Sequence, residues 1–195
     1  MTAATAHLSA GVPESVARVH IEALDRGDTV TVQQVFDQLS PRSRQLRFLT
    51  AKPRLTAADL RSLTDVDGHD RVALVARDPC CVPVGVARLV RDREDPAGAE
   101  AAVTVVDAWQ GRGVGTRLAR ALRDRARELG ITRISLVMAH DNDAAIGLMH
   151  AIDGEVTRVA WDQETVDFVV SLEPDPESAH RRTLSRLKGP VHERR

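Results

Sequence analysis

AEAAVTVVDAWQGRGVGTRLARALRDRAREL, residues 99–129, is the stretch that decides the fold of this chain. It opens as an apolar strand, crosses a glycine-rich turn and continues as an amphipathic helix. Val114, Leu118, Leu122, Ala126 and Leu129 recur at helical spacing with arginines and acids on the other face, and Gly130 stops the helix. Such a turn exposes successive backbone N–H groups at the positive end of a helix, which is a ready anion site. The question is which anion. A P-loop needs a lysine after its last glycine, and none stands there. A dinucleotide fingerprint starting at Gly111 and Gly113 would need a third glycine where Thr116 stands. What remains is Gln110-x-x-Gly113-x-Gly115, between a strand and a helix.

Working outward, Val16 to Leu24 alternates apolar and polar residues and reads as a half-buried strand. Asp25–Asp28 turns the chain. Val32, Val35, Phe36 and Leu39 fall at helical spacing and end before Ser40-Pro41, and one further, broken helical region covers 43–49 and 56–63 around Pro53. Strands at 71–77 and 84–91 flank a turn with Cys80 and Cys81, and a third strand covers 99–107. After the glycine turn and its helix, 131–139 reads as a strand. Asn142 can cap a helix with Ala145, Leu148, Met149 and Ile152 inward, and 155–161 with 165–172 reads as a hairpin. The order is β-α-α-β-β-β-α-β-α-β-β. Three strands in succession imply antiparallel pairing, and the strand–helix–strand unit across Gly111–Gly130 implies a parallel pair. The fold class is therefore α/β, one domain over 15–172. Segment 1–14 reads as a flexible N-terminus, and 173–195 as a loosely attached tail.

Composition narrows the function. A net charge of −1 gives no global field for nucleic acid or an anionic membrane. No stretch approaches the roughly 18 uninterrupted apolar residues of a membrane span. The N-terminus has neither a basic region nor a long apolar core, so a cytoplasmic protein is expected. Adjacent cysteines point to opposite faces of a strand, which argues against a mutual disulfide. The histidines show no metal-ligand spacing, so no metal is expected. Tyrosine is absent, which removes one common catalytic acid.

With the strand order, Asn142 and the closing hairpin, the glycine turn resembles motif A of the GNAT family of N-acetyltransferases. There an [RQ]xxGx[GA] turn binds the pyrophosphate of acyl-coenzyme A. Within the family the chain is most similar to the acetyltransferase domain of bacterial Pat-type protein lysine acetyltransferases. LSPRSRQLRFL (39–49), LTAADLRSLTDVDGHDRVALVA (55–76) and AEAAVTVVDAWQGRGVGT (99–116) carry that likeness. The resemblance implies a single acyl-CoA N-acyltransferase domain. Its sheet would be mixed, mostly antiparallel, with a splayed parallel central pair. Acetyl-CoA would be the cosubstrate.

It also implies residue roles. Gly111, Arg112, Gly113, Val114, Gly115 and Thr116 would cradle the pyrophosphate. Val103, Thr104 and Val105 would line the pantetheine, with backbone N–H groups near Thr104 and Val105 facing the thioester oxygen. Asn142 would reach the coenzyme from the next helix. Glu100 stands where Pat-like enzymes hold their catalytic glutamate. An alkyl amine with a pKa near 10.4 must lose a proton before it attacks, so a base is required. The apolar run around Glu100 would desolvate it and raise its pKa. Glu100 lies roughly 13 Å along a strand from Thr104, so a bulge or an ordered water must bridge them. Met149 stands where many members place a tyrosine that protonates the leaving thiolate.

The expected reaction is acetyl transfer from acetyl-CoA to an amine, a protein lysine such as that of an acyl-CoA synthetase. Two alternatives stand beside it. One is a small-molecule acetyltransferase acting on a polyamine or aminoglycoside, with Asp59, Asp65, Asp67 and Asp70 forming an acidic pocket. The other is a non-catalytic acyl-CoA sensor. The expected partners are acetyl-CoA and a protein with an exposed lysine.

Overall fold

Short turns force the strands between residues 71 and 105 to pair with their chain neighbours, and they form the middle of the sheet. The computed structural model describes residues 19–150, 155–161 and 164–172. Its strands are β1 (His20–Ala23), β2 (Arg71–Arg77), β3 (Pro83–Arg91), β4 (Gly98–Val105), β5 (Arg133–Ala139), β6 (Glu155–Trp161) and β7 (Thr165–Ser171). They lie in one sheet, in the order β1-β2-β3-β4-β5-β7-β6. Only β4 and β5 run parallel; the other pairings are antiparallel. The fold is the expected mixed α/β domain. Segments 1–14 and 173–195, and residues 16–18 of the first expected strand, lie outside the described residues.

Three helices, not two, connect β1 to β2: α1 (Thr29–Asp37), α2 (Pro41–Phe48) and α3 (Ala57–Thr64). Each has its own start signal. Asp28 accepts from the Thr31 N–H, Ser40 accepts from the Ser43 N–H with Pro41 in the first turn, and Thr56 with Asp59 forms a capping box. The expected single broken helix is thus two independently capped ones. Leu49, in the left-handed region at φ 54°, ends α2 before Pro53 is reached. The strand expected over 99–107 is also shorter. It ends at Val105, and Asp107–Trp109 closes into a 3₁₀ turn. The helix of the glycine turn is α4 (Val114–Glu128), and α5 (Asp143–His150) follows β5.

Side-chain alternation on β2–β4 feeds two cores. Val72, Ala87, Leu89, Ala99 and Ala101 pack beneath Leu118, Leu122 and Ala126 of α4. On the opposite face Ala73 and Val75 meet Phe36, Leu39 and Leu55 from the α1–α3 side. Burial on both faces explains why these strands read as nearly continuous apolar runs.

The parallel pair is short. β4 and β5 are joined only at Gly98↔Arg133, Ala99↔Ile134 and Glu100↔Ser135. Beyond Glu100 they part, while β4 stays on β3 as far as Val105 and β5 stays on β7 as far as Ala139. The Ser135 hydroxyl donates to the Ala99 carbonyl (3.2 Å) at the closed end. The bulge weighed as one way to bring Glu100 to Thr104 is not there. The β3–β4 register runs unbroken from Arg91↔Ala99 to Gly85↔Val105. Splaying exposes the edge of β4 without an inserted residue.

Candidate active site

The wedge between β4 and β5 is a cleft of about 480 Å³. Ala101–Val105, Gly111, Gly113, Gly115, Thr116, Leu136, Met138, Asn142 and Met149 all line it. Val103, Thr104, Val105, Gly111, Gly113, Gly115, Thr116 and Asn142, separated by up to 39 positions in sequence, are therefore gathered on one surface. From Ala101 onward β4 has no ladder to β5. Its backbone groups on that edge need partners that the sheet does not supply. A ligand carrying amides meets that need.

The mouth of the cleft is the start of α4. Gly113 caps the helix at φ 83°, ψ 2°, a left-handed conformation that favours glycine, and no side chain caps the end. The first helical bond runs from the Arg117 N–H to the Gly113 carbonyl (3.1 Å). The N–H groups of Val114, Gly115 and Thr116, in the turn before it, are the ones offered to an anion. The Val114 side chain is fully buried in the core under α4, so this residue can serve a phosphate only through its backbone. Arg112 is exposed, its guanidinium 5.4 Å from the Trp109 ring centroid. Asn142 caps α5, its Oδ1 accepting from the Ala145 N–H (3.1 Å). The cap and a place on the cleft wall coexist.

A polar lock, not expected from the sequence, fixes the turn after β4. Gln110 Nε2 donates to the Val105 carbonyl (3.0 Å) and to Ser43 Oγ (3.2 Å). Asp107 accepts from the Ser40 N–H (2.9 Å), the Ser40 hydroxyl (2.7 Å) and the Ser43 hydroxyl (2.9 Å). The start of α2 is thereby tied to the glycine turn. The SPRS run at 40–43 signals a helix cap but not that its second acceptor lies 64 residues or more away. Partial burial works to raise the Asp107 pKa, but these hydrogen bonds outweigh it and hold the carboxyl below its ordinary value. A carboxyl with a depressed folded-state pKa adds stability above its unfolded pKa, and loses it as pH falls through the folded one. Asp107→Asn should therefore be less stable than the parent at pH 7, by no more than about 1 kcal/mol at this exposure. The gap should close below about pH 4. Unfolding in urea at stepped pH measures it, and a gap unchanged down to pH 2 would show that the charge is not what matters.

Glu100 sits on the last rung before the wedge opens. Its side chain is exposed, not enclosed by the apolar run as expected, because alternation sends Ala99 and Ala101 into the α4 core and Glu100 to the other face. Ala102 and Thr104 share that face. They line a second, smaller cavity walled by Phe36, Leu39, Phe48 and Leu55, with Arg47 and Arg88 among its polar groups. Arg47, on α2, borders both cavities. One side of the sheet edge thus offers an anion cradle and an open backbone, and the other offers a carboxylate.

The four aspartates considered as an acidic pocket do not form one. Asp59 takes hydrogen bonds from Lys52 and Thr56, Asp65 pairs with Arg26 and Arg71, and Asp70 pairs with His69 and Arg91. Asp67 accepts from the N–H groups of His69, Asp70 and Arg71. None of them lines either cavity. Cys80 and Cys81 are exposed in the β2–β3 turn, as expected.

A seven-stranded sheet that opens between a parallel pair onto a glycine-turned helix start defines a coenzyme-A-dependent acyltransferase. The chain belongs to the acetyltransferase (GNAT) family, whose model matches residues 36–152. It is 34% identical over 137 residues to an acetyltransferase of Pseudomonas aeruginosa, covering 69% of this chain and 73% of that one. It is 32% identical over 117 residues to the acetyltransferase Pat of Mycolicibacterium smegmatis; this is 60% of the present chain but 34% of the relative, so the match spans about a third of that protein. Among solved structures, the GNAT domain of S. lividans PAT superposes with a TM-score of 0.71 at 28% identity, over 78% of this chain and 90% of that one. The protein is an acetyltransferase of a family that uses acetyl-CoA. Among the described residues no helix is long and apolar enough to cross a membrane.

Proposed function

We propose that the chain acetylates a protein lysine, with Glu100 taking the proton from the attacking amine. The observation that carries the reading is the place of Glu100, on the last paired rung of β4 and on the face away from α4. The pyrophosphate rests on the N–H groups of Val114–Thr116. The pantetheine runs down the open edge of β4 past Val105, Thr104 and Val103. Gly111, Gly113 and Asn142 border its path, and Arg112 flanks the entrance. The thioester then points toward the closed end, and the amine enters from the α1–α3 side. A C–N bond forms at the thioester carbon, the developing oxyanion is met by the N–H that Val103 presents on the open edge of β4, and the C–S bond breaks to release the coenzyme thiolate. Because β4 carries no bulge, the amine's proton reaches Glu100 through ordered water. Met149, buried in the cleft wall, offers no proton to the thiolate. A thiol of pKa near 8.5 leaves readily without one.

The likeness to Pat supports a protein lysine as acceptor. Among the described residues the acceptor-side cavity presents arginines and no acid, which argues against polyamines. Labelled acetyl-CoA incubated with a matched lysate, with and without spermidine, tests the reading. Label should enter protein lysines and not spermidine. Labelling of spermidine alone would make this a polyamine enzyme, and coenzyme binding with no transfer to anything would make it a sensor.

A further inference from the structure

Arg88 faces the acceptor side from the middle of the sheet. It is cross-strand partner to Ala102, in the row adjacent to Glu100 on the same face. Its Nη2 donates to the Ser62 carbonyl (2.6 Å), while its Nε is buried with no partner. Arg47 approaches from α2 and lines the same cavity. Its guanidinium stands 5.0 Å from the Phe48 ring centroid and makes no hydrogen bond or ion pair with another described residue. Two guanidiniums therefore line one cavity, where loss of solvent opposes both charges and Arg88 repels Arg47. Burial and the nearby Arg88 push the Arg47 pKa down, and Glu100 is the group that pulls it back. Arg88 is pushed down by burial and by Arg71, and again Glu100 opposes the shift. One carboxylate cannot satisfy two half-buried guanidiniums and also receive a proton from an incoming amine. A charge held partly out of water with a buried, unpartnered Nε is costly, so the cavity suits a second anion. Apart from Thr104 the other lining groups are apolar, including Phe36, Leu39, Leu55 and Val86.

We propose that Arg47 and Arg88 form a subsite for a carboxylate carried by the acceptor, so that the substrate is an amine with a nearby carboxylate on an otherwise apolar body. The proposal rests on the acetyl-transfer reading above and names the acceptor's chemistry more closely. Planar guanidiniums match a carboxylate in a way that a lysine would not. Such a carboxylate comes from one of two sources: an acidic side chain beside a protein lysine, or the carboxyl group of a free amino acid.

The test compares matched acceptors at saturating acetyl-CoA. One pair is a lysine peptide flanked by glutamate against the same peptide flanked by glutamine. The other is Nα-acetyl-lysine against its C-terminal amide. In at least one pair the carboxylate form should be preferred by about tenfold or more in kcat/KM, equivalent to about 1.4 kcal/mol, with most of the difference in KM. The pair that shows it identifies the source. Arg47→Gln and Arg88→Gln should each bring the acid-to-amide ratio toward one, and Arg88→Lys should restore part of it. The wild-type comparison needs no variant to fold. Equal rates within both pairs, or a preference that survives in both variants, would overturn this subsite and leave the acetyltransferase reading standing. No transfer to any of the four acceptors would overturn both.

Discussion

Turnover in Glu100→Gln should fall by about 10²–10⁴, the usual contribution of a general base, while acetyl-CoA affinity stays within a few-fold. The two readouts separate because the two functions lie at different points along β4. Glu100 points away from α4, whereas the residues expected to hold the coenzyme line the wedge beyond it. The amide keeps the shape and hydrogen bonding of the carboxylate but accepts no proton. Part of the loss should return at high pH, where more of the amine is already free. Steady-state rates from pH 7 to 10, with calorimetric titration of acetyl-CoA, measure both effects. Undiminished turnover would remove Glu100 from the mechanism. A loss confined to coenzyme binding would make it structural.

The second large effect belongs to the glycine turn. A side chain at Gly115 would place its Cβ 3.6 Å from Val105 Cγ2 and 3.8 Å from Leu148 Cδ1, at ordinary contact distance, so the empty protein has room for it. Val105 and Leu148 are both cleft walls, so that side chain would occupy the space offered to the coenzyme. Gly115→Val should therefore fold and yet lose the thermal stabilisation that acetyl-CoA confers. That stabilisation amounts to about 2.7 kcal/mol at a hundredfold excess over Kd. Gly113→Val would test less cleanly, because its φ of 83° adds backbone strain to the loss of space. Differential scanning fluorimetry with and without acetyl-CoA decides the matter. Full ligand-induced stabilisation in Gly115→Val would show that the coenzyme does not pass this point.

The sequence by itself determined most of the secondary structure and one half of the candidate site. Apolar runs on either side of a turn bounded β2 and β3 closely, and Gly113-x-Gly115 between an apolar strand and an amphipathic helix marked the anion end of α4. These signals are local, because a backbone that must turn, or be approached closely, needs glycine where it does so. Tertiary structure alone decided the rest. The wedge exists because β4 follows β3 while β5 follows β7, so the parallel pair lasts three rungs, and no residue in either strand announces that length. The run around Glu100 looked like an apolar enclosure. Packing gave Ala99 and Ala101 to one face and left the carboxylate on the other. Asp107 met Ser40 and Ser43, and Arg47 came to line one cavity with Arg88, although each pair lies more than 40 residues apart in the chain. Such pairs leave no periodic trace, because the charge of a side chain is written in the sequence and its distance from a partner is set by the fold.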